Sequence, residues 1–128
     1  MVEHLTKSEM AIMEVMWDQE EALTATEIIK VSGDKEWKDS SVHLLVNALL
    51  EKKFIEVVGF KKTTKNYART FKPTMTREQY LSRKVLGNMT EKERLRVYMQ
   101  LLEEIKDEEV LRDIKKNIDA RIKELENQ

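Results

Sequence analysis

The chain has 128 residues, a formal net charge of -1, 41% hydrophobic and 37% charged residues, and no cysteine. That length suits one domain, or a small domain with an appended helical piece, and the missing cysteines exclude disulfides, thiolate metal sites and a cysteine nucleophile. No segment approaches the about eighteen consecutive apolar residues of a membrane-spanning helix. The opening MVEHLTKSEM has neither the basic nor the apolar region of a secretory signal, so a cytoplasmic location with no membrane partner is expected.

The small net charge conceals an uneven distribution. The first 36 residues carry three Lys and nine Asp or Glu; residues 37–73 carry eight Lys or Arg against three acids; residues 74–128 carry twelve of each sign. A local field of one sign guides association with polyanions even where the total is near zero.

Taken in order, Thr6-Lys-Ser-Glu9 is a capping box, in which a hydroxyl and a carboxylate satisfy helix-end amides. Met10, Met13, Met16 and Trp17 follow at helical spacing, with Ile12 and Val15 widening the apolar face; this predicts a first helix to about Asp18, with the methionines as core rather than a ligand set. Thr24-Ala-Thr-Glu27 starts a second, short helix carrying Ile28, Ile29 and Val31, stopped near Ser32-Gly33 and followed by a turn over Gly33 to Glu36. Asp39 or Ser40 can cap a third helix, whose wheel sets Val42, Leu45, Val46 and Leu49 inward and Ser40, His43, Leu44, Asn47 and Glu51 outward. The period then changes to that of strands. Ile55-Glu56-Val57-Val58 and the alternating Asn66 to Lys72 flank a polar turn, Lys61 to Lys65, and Pro73 closes the hairpin. Three short helices and a hairpin predict a winged helix-turn-helix.

Beyond Pro73 the chain reads as helical. Thr76 to Gln79 and Thr90 to Glu93 are further capping boxes, separated by a break at Gly87-Asn88. Leu95, Tyr98, Met99, Leu102 and Ile105 share one face, and Asp107 can cap a last helix in which Leu111, Ile114, Ile118, Ile122 and Leu125 form a near-heptad seam. The expected fold is mainly α with a small β-hairpin: a winged helix-turn-helix over 1–73 and a C-terminal helical dimerisation region over 74–128.

The segment FKKTTKNYARTFKP, Phe60 to Pro73, holds Lys61, Lys62, Lys65, Arg69 and Lys72 and no acid. Lys61, Lys62, Lys65 and Arg69 suit phosphate neutralisation, which supplies sequence-independent affinity for DNA. The competing reading is a Lys-rich edge hairpin protected against aggregation. Tyr67 and Phe71 alternate in step and are expected to pack on the helices; Trp17 and Trp37 are expected as core or hinge residues.

Four segments resemble one family. LTKSEMAIMEVMWD is similar to the first helix of the penicillinase-repressor family, LTATEII to its second, WKDSSVHLLVNALLEKKFIE to its recognition helix and exit strand, and NYARTFKPTMTREQYL to its wing return and next helix. The family includes β-lactamase, methicillin-resistance and copper-responsive repressors. The resemblance implies a homodimeric transcriptional repressor on double-stranded DNA, with the third helix in the major groove, where Ser40, Ser41, His43, Leu44 and Asn47 face base edges. It also brings a sensor protease into view as a partner, since the drug-resistance members are cut at an Asn-Phe pair. Here no Asn precedes a Phe, the copper members' cysteine hooks are missing, and Leu86-Gly87-Asn88-Met89 stands where the family has a Gly-rich, then Leu-Val, segment. At His43 the family has a longer polar or basic side chain.

Two other classes stay open: a winged-helix protein-interaction module without DNA binding, and a regulator with an effector pocket between its domains. With two His, three Gly, no phosphate-cradling loop and no metal-ligand cluster, neither an enzyme nor a cofactor is expected.

Overall fold

The computed structural model describes residues 4–33 and 39–128, which form two compact units, Met1–Gly87 and Asn88–Gln128. The expected turn over Asp34 to Glu36 and the expected role of Trp37 lie outside the described residues. The first unit runs α1 (Lys7–Trp17), α2 (Ala25–Ser32), a 3-10 turn (Asp39–Ser41), α3 (Val42–Glu51), β1 (Ile55–Lys62), β2 (Tyr67–Pro73) and α4 (Arg77–Leu86); the second holds α5 (Glu91–Glu103) and α6 (Glu108–Glu126). This is the mainly helical winged helix-turn-helix that the periodicity predicts.

Three capping boxes close in full. The Thr6, Thr24 and Thr76 hydroxyls accept from the amides of Glu9, Glu27 and Gln79, whose side chains accept in return from the Thr amides. Each satisfies two helix-end donors. At Thr90 only half the motif forms: the hydroxyl accepts from the Glu93 amide, but the Glu93 carboxylate meets that hydroxyl instead of the Thr90 amide. Asp107 caps α6 by accepting from the Glu109 amide.

The core of the first unit is the apolar stripes brought together. Ile12, Met13 and Met16 of α1, Ile28 of α2, and Val42, Val46 and Leu49 of α3 are buried with Leu23, Phe54, Ile55, Phe71 and Tyr80. The methionines are therefore core. Burying each such side chain contributes about 1.5–3 kcal/mol. Tyr80 ties α4 to this unit: its ring lies 5.8 Å from that of Trp17 and 5.7 Å, edge-on, from that of Phe54. The Trp17 indole donates to the Met75 carbonyl at 2.9 Å, and Arg77 lies over the indole while pairing with Glu14 and Asp18. So α4, which the sequence reading assigns to the C-terminal region over 74–128, packs against α1.

The hairpin is antiparallel, pairing Ile55 with Pro73 and Lys62 with Tyr67, and is interrupted by a bulge between Val57 and Gly59. Its turn is closed by Thr63 and Asn66, whose backbone and hydroxyl groups bond one another. A third, one-residue strand was not legible: Leu23 and Phe71 exchange backbone bonds of 3.1 and 2.8 Å. In the second unit, none of the described residues 88–128 is buried; Met89, Arg94, Val97, Leu102, Ile105 and Ile114 are half-buried. Helix α5 ends at Glu103, so Ile105 lies beyond it.

Candidate nucleic-acid interface

Helix α3 divides as its wheel predicts. Val42, Val46 and Leu49 are buried and Leu45 half-buried, while Ser40, His43, Leu44, Asn47 and Glu51 are exposed. Leu44 is 73% exposed, a large apolar side chain held in water on an otherwise polar face. The entry to α3 differs from expectation. The N-cap is Ser41, not Asp39 or Ser40, and its side chain makes no capping bond. Ser41 has φ -82° and ψ -16°, because the 3-10 turn runs straight into the helix, whereas hydroxyl capping needs an extended N-cap backbone. An Asn takes adenine by a paired hydrogen bond, and an apolar side chain fits a thymine methyl; the face has the chemistry of base-edge contact.

The exit of α3 positions the wing. Lys53 adopts φ 66°, the Phe54 amide donates to the Leu49 carbonyl and the Lys53 amide to that of Leu50. This is a Schellman ending with Lys where glycine is usual. Phe54 then drops into the core and β1 begins at Ile55. The Thr74 amide and hydroxyl return to the Phe54 and Lys53 carbonyls, at 2.9 and 2.7 Å, so both ends of the hairpin are fixed to the end of α3.

The register sorts the wing's side chains. Phe60 stands opposite Arg69 and Lys62 opposite Tyr67; alternation places these four on one face of the ribbon. All four are exposed, Phe60 at 70% and Tyr67 at 64%. Tyr67 therefore does not pack on the helices as its alternation with Phe71 suggests; Phe71 does, and the Arg69 guanidinium lies 5.3 Å from its ring centre. The physical reason is length: Phe71 bonds to Leu23 at the base of the hairpin, and Tyr67 lies four residues earlier, at the start of β2 beside the turn. On the other face, Lys61 stands opposite Ala68 and Lys72 opposite the acid Glu56. Lys65 is exposed in the turn.

Lys61 is not simply solvated. Its ammonium donates to Glu27 Oε2 at 2.5 Å, while Glu27 Oε1 accepts from the Thr24 amide. One carboxylate thus caps α2 and holds the wing. The Lys61 hydrogen bond, then that of the Thr24 amide, keep the Glu27 carboxyl below the usual carboxylate range. Glu27, and more weakly Glu21, raise the Lys61 ammonium. Glu9 does the same between α1 and α3. It is buried, accepts from Lys52 at 2.7 Å and from the Thr6 amide, and is lowered: burial opposes ionisation, but the Lys52 and Thr6 bonds outweigh it. The pairing of Glu27 with a lysine 34 residues away is beyond any local sequence signal.

Of the residues expected at a subunit interface, Leu95, Tyr98, Met99, Leu111, Ile118, Ile122 and Leu125 are exposed, and Leu102 and Ile114 half-buried. Among the described residues no three His, Cys, Asp or Glu gather as a metal-ion set, and no helix is long and apolar enough to cross a membrane.

The chain is similar to a solved structure, the adhesin competence repressor of Streptococcus pyogenes, at 21% identity over 95% of this chain and 81% of that one, with a TM-score of 0.43. No curated protein matches it. The penicillinase repressor family model matches residues 5–124, taking in both the winged helix and the two C-terminal helices, and the chain belongs to this family of transcriptional repressors.

Proposed function

We propose that the protein represses transcription by binding a pseudo-palindromic operator as a homodimer, with α3 in the major groove and the wing on the DNA backbone. The observation that carries this reading is the joining of two exposed surfaces. The polar face of α3, with His43, Leu44 and Asn47, leads through a fixed exit into a wing that has no acid from Val57 to Lys72. A winged helix offers base-edge groups from one helix and backbone contacts from cations beside it, and these are the two chemistries present.

Dimerisation is supported by the second unit. Helices α5 and α6 bury none of their residues in the single chain, so the seam of Leu111, Ile118, Ile122 and Leu125, with Leu95, Tyr98 and Met99 of α5, needs a partner to leave water. A second copy supplies it, and joining two winged helices multiplies affinity for an inverted repeat. On this reading the protein acts by occupying DNA, not by catalysis. The operator is tested by selecting fragments bound from total genomic DNA, followed by footprinting. Enriched fragments should share an inverted repeat whose half-sites lie about 10 base pairs apart, or a multiple of that. Folded, dimeric protein that enriches nothing would favour the protein-interaction module instead.

A further inference from the structure

The wing carries its cations on two different faces, and the two are not equivalent. Lys61 is tied to Glu27 with Glu21 nearby, and Lys72 stands opposite Glu56. Lys62 and Arg69 have no carboxylate opposite them in register; their cross-strand partners are Tyr67 and Phe60. The result is an exposed surface of two cations and two aromatic rings. Two solvent-facing rings at the tip of one ribbon are a costly use of apolar surface unless something covers them.

We infer, building on the DNA-binding reading above, that only this face of the wing meets DNA: Phe60 and Tyr67 lie against deoxyribose between phosphates reached by Lys62 and Arg69, while Glu27 withholds Lys61 on α2. Charge complementarity selects the occupant. A face whose only charges are two cations, in a segment without an acid, fits a polyanion and repels a basic partner. Sugar and phosphate alternate along the backbone, as ring and cation alternate here. Withholding one cation limits binding to DNA of any sequence, because each neutralised phosphate adds affinity without discrimination.

The test is fluorescence anisotropy with full-length protein and random-sequence duplex across a salt series. Lys62→Ala and Arg69→Ala should each flatten the slope of log K against log salt by about 0.9 for every phosphate no longer neutralised. Phe60→Ala and Tyr67→Ala should weaken binding on the order of tenfold with the slope unchanged, because apolar packing releases no counterions. Lys61→Ala should change affinity less than about twofold, since a lysine held on α2 releases no counterion from the duplex. Glu27→Gln keeps the capping box, since Gln serves at that position. It should tighten binding and steepen the slope by about 0.9 per freed lysine. In a Lys61→Ala background it should do neither, which separates release of Lys61 from mere loss of a negative charge. The inference is overturned if Lys61→Ala flattens the slope as much as Lys62→Ala. It is equally overturned if both aromatic substitutions leave affinity unchanged, or alter only the oligomeric state. Wild-type protein that shows no salt-dependent binding would instead bring down the DNA-binding reading itself, and this inference with it.

Discussion

Glu9 shows how one side chain joins sequence logic to tertiary structure. As the third residue of α1 it completes a capping box, a local role that four letters of sequence announce. Its second role, accepting from Lys52 at the end of α3, depends on the fold bringing residues 43 apart within 2.7 Å. A Glu9→Gln substitution separates the two, because Gln preserves the cap and removes the ion pair. Loss of a charged hydrogen bond at a buried site costs about 1–3 kcal/mol, and urea unfolding should show a decrease of that size. Glu9 and Glu27 also make stability depend on acid. Both carboxyls are lowered from 4.5 in the folded protein. The stability they contribute is therefore complete above that value, and is lost as pH falls through their lower folded values. Melting temperatures measured from pH 6 down to about pH 3 should fall less steeply for Glu9→Gln and Glu27→Gln than for the wild type. A parallel fall in all three would show that other carboxylates carry the acid transition.

At the scale of elements, what could be read in advance followed local chemistry. The capping Thr residues, the break at Gly87 and the inward stripe of α3 are short-range signals, and the chain forms them where they occur. The failures are long-range or geometric. A Ser before α3 looks like a cap, but the preceding 3-10 turn fixes its backbone in a helical conformation that cannot cap. Tyr67 and Phe71 occupy the same face of β2, yet only the base of the hairpin reaches the core. The one-residue strand at Leu23 has no signature, since a single bridged residue has no period. Tyr80 sits in a helix whose first turn looks like the start of a new domain, but its aromatic partners Trp17 and Phe54 lie in the first unit. The α3 exit gives a test at this scale. A Lys in the left-handed region carries a steric cost that glycine avoids. Lys53→Gly should therefore stabilise the protein by about 0.5–1 kcal/mol in urea unfolding. Leu49→Ala, one turn earlier and fully buried, should cost about 2–5 kcal/mol. If Lys53→Gly destabilises instead, the Schellman ending is not what fixes the wing.

For the whole molecule, the asymmetry between the two units matters most. The first has a closed core; the second, among its described residues, has none buried. Marginal stability leaves little room for a helical pair that hides so little apolar surface. The heptad-like spacing of Leu111, Ile114, Ile118, Ile122 and Leu125 gives a face and not a partner, and the proposed dimer assigns that face to a second copy. Replacing Ile118 and Ile122 together by Asp should convert a dimer to a monomer in sedimentation velocity, with the first unit still folded. Affinity for an inverted repeat should then fall at least about 100-fold, while binding to a single half-site changes little. A double variant that remains dimeric would move the interface elsewhere.

The central claim is that α3 reads sequence while the wing supplies general affinity. The most direct test compares wild type with the His43→Ala, Asn47→Ala double variant, using a fragment recovered by genomic selection and a random duplex at the same salt. The variant should lose about 1–3 kcal/mol for each base it no longer reads on the selected fragment and keep its affinity for random DNA. Equal losses on both duplexes, or none on either, would contradict the assignment of α3 as the reading element.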